Sequence, residues 1–194
     1  MANYDPRTAL IVVDVQNDFA DPNGSLYVKG AEDVVTFISA EVARARAAGS
    51  LVVYTQDWHP PETPHFATGG GVWPVHCVRN TWGAAFHPGL KVEGDTVRKG
   101  AGGEDGYSGF TVRDPESGRE SETDLAAMLH DAGIERVIVV GLATDYCVKA
   151  TALDAVRKGF STLLLRDAVR AVDLTPGDGE RAIEEMCRAG VSLE

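Results

Sequence analysis

The stretch ALIVVD at residues 9–14 decides the fold class, because five apolar residues are followed directly by a carboxylate. Continuous apolar runs rich in β-branched residues are typical of strands covered on both faces, as in a parallel sheet. Later strands are predicted from the same signals at residues 51–55, 96–99, 137–140, 162–165 and 191–193.

Helices are predicted between these strands, since apolar residues recur there every three or four positions. The clearest stripe begins at Ala31 and ends before Gly49, a plausible C-cap. Further helices are predicted over residues 124–132, 145–158 and 180–189. The alternation of strands and helices predicts an α/β fold with a mostly parallel sheet.

Length and charge narrow the classes of function. The chain has 194 residues, which suits one domain, and carries 29 acidic against 18 basic residues for a net charge of −11. Such a chain repels phosphate backbones, so we expect a small-molecule substrate and neither nucleic acid nor an anionic membrane as partner. No apolar run approaches the roughly 20 residues that span a bilayer, and the N-terminus lacks the regions of a signal peptide. A cytoplasmic location is therefore expected.

Three polar residues follow predicted strands at the edge where parallel sheets bind ligands. They are Asp14, Lys99 and Cys147. Taken singly, Asp14 would cap a loop, Lys99 would be a solvated surface lysine and Cys147 a structural cysteine. Their convergence on one crevice favours catalysis instead.

The chemistry of these groups suits acyl transfer through a thioester. A cysteine near the start of a helix and beside a lysine is expected to favour the thiolate, and an aspartate can take the thiol proton. Thr144 or Asp145 is expected to cap that helix. The backbone N–H groups of Ala143 and Cys147 are candidates for an oxyanion hole.

A long loop excursion at about residues 57–90 carries four of the five histidines. Asp57, His59, His65 and His76 offer a carboxylate and imidazoles, a donor set that suits Zn, Fe or Mn. The alternative is that the histidines are scattered loop residues, with Trp58, Trp73 and Trp82 as core anchors.

Several motifs resemble those of the nicotinamidases, within the isochorismatase-like cysteine hydrolases. They are IVVDVQNDF (11–19), DWHP (57–60), WPVHCV (73–78), GAAFHP (83–88), KG (99–100), YSGF (107–110) and GLATDYCV (141–148). They span most of the chain in the family's order.

The resemblance implies a three-layer αβα domain over residues 1–194, with a six-stranded mostly parallel sheet and helices on both faces. It also implies release of ammonia from nicotinamide to give nicotinate, and cleavage of pyrazinamide. The chain would be a monomer or small homo-oligomer that holds one divalent transition metal ion.

The resemblance also assigns roles to residues. Asp14, Lys99 and Cys147 fall on the family's triad. Asp57, His59 and His76 fall on its metal ligands, while His65 falls where the ligand varies. Phe19, Trp73 and Tyr107 would wall the ring pocket, and the peptide before Ala143 would be cis.

Other hypotheses stay open at this point. Cys147 argues against an isochorismatase proper, and the metal residues argue against a carbamoylsarcosine-type amidase. An amidase for another small amide, or a catalytically silent binding member of the fold, would share most of these motifs.

Overall fold

The run at residues 9–13 lies inside a six-stranded parallel sheet in the computed structural model, which describes residues 2–194. The strands are β1 (Thr8–Val13), β2 (Leu51–Asp57), β3 (Asp95–Lys99), β4 (Thr111–Arg113), β5 (Glu120–Glu122), β6 (Arg136–Leu142), β7 (Ser161–Arg170) and β8 (Ser192–Leu193). The sheet order is β3-β2-β1-β6-β7-β8, and every neighbouring pair is parallel. β4 and β5 form a separate antiparallel pair.

Helices cover both faces of this sheet. They are α1 (Asn17–Ala20), α2 (Ala31–Ala47), α3 (Leu125–Asp131), α4 (Lys149–Arg157) and α5 (Asp178–Arg188). Leu10 and Val12 of β1 belong to the apolar core under α2, whereas Ile11 and Val13 belong to the core under α3, α4 and α5. Successive side chains of a strand point to opposite faces, so a central strand buried throughout needs two cores. The expected three-layer αβα fold is confirmed.

The observed elements depart from the predicted ones at the β4–β5 pair and in the turn before α4. The β4–β5 pair was not predicted, because its strands have three residues each and no buried position. The segment predicted as the start of a helix is a π-helical turn, Thr144–Val148, that leads into α4. Neither proposed side chain caps it; the Asp145 carboxylate instead accepts hydrogen bonds from the backbone N–H groups of Val172 and Asp173.

The loop excursion is held down by polar side chains that follow β1. Gln16 donates to the carbonyl oxygens of Asp57 and Ala84 at 2.8 and 2.9 Å, and accepts from the Asp57 N–H at 2.8 Å. Asp18 accepts from the Cys77 N–H at 2.7 Å. This clamp fixes the excursion without regular secondary structure beyond a short 3₁₀ turn, Ala67–Gly69.

The alternative reading of this loop, with scattered histidines and tryptophans as core anchors, fails on burial for one tryptophan. Trp82 is 53% exposed, so it is not a core anchor, whereas His59, His65 and His76 are buried. Over residues 2–194, none of the helices is long and apolar enough to cross a bilayer.

Candidate active site

The ends of three parallel strands bring the predicted triad together. Asp14 follows β1, Lys99 ends β3, and Cys147 lies in the turn after β6. The Lys99 Nζ is 2.7 Å from the Asp14 Oδ2 and 3.7 Å from the Cys147 Sγ. Thr55 Oγ1 donates to the second oxygen of Asp14 at 2.6 Å. All three triad side chains are buried.

Two carboxylates share the one ammonium of this site. Besides Asp14, Lys99 contacts the Asp57 Oδ1 at 2.5 Å and donates to the Gly106 carbonyl. Burial acts to lower the pKa of Lys99, but Asp14 and Asp57 outweigh it and hold that pKa well above its usual range. Burial raises the pKa of Asp14 to about 6, against the opposing effect of Lys99. Lys99 therefore stays protonated at neutral pH.

The thiol does not behave as its position near a helix start suggested. Burial raises the pKa of Cys147 well above its usual range, with Lys99 opposing the shift and the nearby Asp14 and Asp57 carboxylates adding to it. Lys99 thus favours the thiolate, as expected, but burial outweighs its effect on the pKa of Cys147 in the resting site. If Cys147 is the nucleophile, its proton would leave as the sulfur attacks, and the Asp14 carboxylate would be available to accept it.

A second cluster lies beside the triad and is built mainly by the loop excursion. Ring nitrogens of His59, His65 and His76 all lie within 4.8 Å of one another. The Asp57 Oδ2 is 3.7 Å from the His59 Nε2 and 3.9 Å from the His76 Nε2. Asp57 thus turns one oxygen towards Lys99 and the other towards the histidines.

The donor set fits a divalent transition metal. Neither ring nitrogen of His59 has a hydrogen-bond partner among the described residues, although both are buried. Buried polar atoms are rarely left unpaired, and a cation bound to one of the two His59 nitrogens would give that nitrogen a partner. Burial lowers the pKa of His76 to about 4 and also lowers that of His65, which keeps both in the neutral form that binds metals. Three imidazoles and a carboxylate are typical ligands of Zn, Fe or Mn.

A cavity lined by His65, His76 and Cys147 joins the histidine cluster to the Cys147 thiol. The expected residues Phe19, Trp73 and Tyr107 line it, and the Trp73 Nε1 donates to the Tyr107 hydroxyl at 2.8 Å. The wall also contains residues that sequence reasoning missed: Leu26, Val28, Leu142, Tyr146 and Val172. Most are ordinary apolar residues of connecting segments, and only Tyr146, next to Cys147, carried a usable signal.

The turn after β6 has the backbone that the resemblance implied. The peptide bond between Leu142 and Ala143 is cis. Gly141 precedes it with φ of +116°, and a Cβ there would lie 2.1 Å from the Val13 carbonyl oxygen. Glycine is therefore required where β6 meets the end of β1.

The isochorismatase domain matches residues 8–193, nearly the whole chain. The chain belongs to the isochorismatase family. Within it, the chain is 42% identical to the nicotinamidase/pyrazinamidase of Mycobacterium tuberculosis, over 95% of this chain and 97% of that protein.

Solved structures of relatives share the fold over the same extent. The pyrazinamidase of Pyrococcus horikoshii, crystallised in complex with zinc, has a TM-score of 0.87 at 42% identity, covering 97% of this chain and 99% of that one. The PnC1 protein of L. infantum, in complex with nicotinate, has a TM-score of 0.90 at 39% identity, covering 100% and 95%.

Proposed function

We propose that this chain hydrolyses nicotinamide to nicotinate and ammonia, and that it also cleaves pyrazinamide. One observation carries the proposal. The buried Cys147 thiol, with Asp14 and Lys99 beside it, lines the same aromatic cavity as the three-histidine cluster. The names of the M. tuberculosis and P. horikoshii relatives, and the nicotinate bound by the L. infantum protein, support the same substrates.

Asp14 and Cys147 carry the covalent chemistry in this proposal. The Cys147 sulfur attacks the amide carbonyl while Asp14 takes the thiol proton and then passes it to the departing nitrogen, so that ammonia leaves and a thioester remains. Asp14 next takes a proton from water, whose oxygen attacks the thioester and releases nicotinate, and the proton returns to the sulfur.

Two further groups stabilise charge during these steps. Lys99 stays protonated between Asp14 and Asp57 and balances the negative charge of the site. The backbone N–H groups of Ala143 and Cys147 would donate to the oxyanion of each tetrahedral intermediate.

The ring end of the substrate would be held on the opposite side of the cavity. Asp57, His59, His65 and His76 would bind one Zn, Fe or Mn ion, with zinc supported by the P. horikoshii structure. With these four ligands in place, an ion that takes a fifth ligand would have a position for a neutral nitrogen donor such as a pyridine. Phe19, Trp73 and Tyr107 would pack around the ring.

The single domain, the cytoplasmic location and the small oligomeric state stay predictions.

The experiment is ammonia release from nicotinamide, measured beside metal content and repeated after chelation and reloading. We expect turnover that falls on chelation and returns with metal. Turnover of another small amide but not nicotinamide would favour the related-amidase alternative. A chain that binds nicotinamide without releasing ammonia would be a silent member of the fold.

A further inference from the structure

A carboxylate outside the proposed metal ligands contacts one of them directly. The His65 Nδ1 lies 2.7 Å from the Asp105 Oδ1, with the Asp105 side chain 24% exposed and that of His65 almost fully buried. Asp105 belongs to the connection between β3 and β4, not to the loop excursion that carries His65. The contact therefore joins two loops that are separate in sequence.

The backbone of Asp105 is fixed independently of this contact. Its N–H donates to the Arg113 carbonyl at 2.8 Å, and its own carbonyl accepts from the Arg113 N–H at 2.9 Å. This reciprocal pair is an antiparallel bridge between Asp105 and Arg113, the last residue of β4. These two hydrogen bonds hold the backbone from which the Asp105 carboxylate projects.

The same connection also holds the backbone of His65. Thr63 Oγ1 donates to the Gly103 carbonyl at 2.9 Å and accepts from the His65 N–H at 3.2 Å. The ring of His65 stacks on that of His59, with centroids 4.6 Å apart. The ring of His65 therefore contacts the β3–β4 connection directly, through Asp105, and its backbone contacts that connection through Thr63.

We propose that Asp105 is a positioning residue that makes His65 a direct ligand of the metal. A carboxylate beside the Nδ1 fixes the proton there and leaves the Nε2 lone pair for the ion, and it limits rotation of the ring. This explains how His65, which lies farther along the loop than the Asp57–His59 pair, is held in the cluster. The inference rests on the metal centre of the proposed function.

The test measures affinity for Zn²⁺ alone, by competition with a chromophoric chelator and without any amide substrate. Asp105→Ala removes the acceptor and is expected to weaken Zn²⁺ binding by about 10–100-fold. Asp105→Asn keeps an oxygen acceptor without the charge, so its loss should be smaller. Glu104→Gln is the matched control, because the Glu104 carboxylate accepts from the Gly102 N–H, and it should bind Zn²⁺ like the unchanged protein.

A double-mutant cycle separates positioning from general loosening of the loop. If Asp105 acts through His65, Asp105→Ala should cause no further loss of Zn²⁺ affinity in a His65→Ala background. The inference is overturned if Asp105→Ala binds Zn²⁺ as tightly as the unchanged protein, or if it loses as much affinity without His65 as with it.

These outcomes are distinct from those of the proposed function. Should Asp105→Ala be too unstable to purify, Asp105→Asn and its own cycle with His65→Ala give the same decision. A chain that binds Zn²⁺ through the His65–Asp105 pair but releases no ammonia from nicotinamide would refute the proposed function and leave this inference intact.

Discussion

The two sides of the cavity are built in different ways. On one side, Asp14, Lys99 and Cys147 are carried by strand ends, and sheet hydrogen bonds fix their spacing. On the other, His65 and His76 are carried by a long loop that depends on side-chain contacts. Among the site residues named above, Asp57 faces both sides. We therefore expect changes on the strand side to remove chemistry, and changes on the loop side to weaken binding.

The largest effect should follow removal of the nucleophile. Cys147→Ala deletes the attacking atom, so kcat should fall by about 10⁴-fold or more while the fold is retained. Cys187→Ala is the matched control, because that cysteine is exposed on α5, away from the cavity, and should leave kcat unchanged. Mass spectrometry should detect an acyl adduct on Cys147 during turnover. Substantial activity in Cys147→Ala would end the thioester mechanism.

Loss of the base should be nearly as severe. Asp14→Asn keeps the size of the side chain, but an amide cannot accept the thiol proton, so kcat should fall by about 10²–10⁴-fold. The loop side is untouched by this change, so metal content should stay at the level of the unchanged protein. Rates close to normal in Asp14→Asn would mean that another group is the base.

The same contrast governs what could be read from the sequence. Asp14, Lys99 and Cys147 follow recognisable strands, and parallel topology places strand ends at one edge, so their convergence was predictable. For His65 and His76, donor chemistry and family resemblance suggested ligands, but spacing alone could not place them. Asp105 was missed because its role depends on a bridge to Arg113, and no local pattern reports such a contact. The thiol pKa was also missed, since it follows from burial.

Substrate selection tests the loop side directly. Nicotinamide and pyrazinamide carry a ring nitrogen at the matching position, whereas benzamide has none and isonicotinamide has it elsewhere. We expect kcat/KM for benzamide and isonicotinamide to be lower than for nicotinamide by on the order of 100-fold, because binding no longer orients their carboxamide. Benzamide turnover within a few-fold of nicotinamide would contradict the anchoring role while leaving the strand-side chemistry intact.

The pH dependence reports on the strand side. Burial raises the pKa of Asp14 to about 6, and the protonated carboxyl cannot accept the thiol proton. Values of kcat/KM should therefore be constant above that pH and fall about tenfold per unit below it. Metal content measured at each pH separates this loss from release of the ion. An acid limb that tracks metal content instead would assign it to the loop side.

The smallest effect should come from the clamp that joins the two sides. Gln16 is buried and makes three hydrogen bonds to the backbone of Asp57 and Ala84, so Gln16→Ala leaves buried polar groups unpaired. We expect the free energy of unfolding to fall by about 1–3 kcal/mol. Because Asp57 and the loop lose a support while the triad keeps its strands, Zn²⁺ affinity should weaken, and the kcat of the metal-saturated enzyme should change little. Chemical denaturation, chelator competition and kinetics at saturating Zn²⁺ measure the three quantities. A large loss of kcat at saturating Zn²⁺ would show that the strand-side chemistry also depends on the clamp, and the two sides would then not be separable.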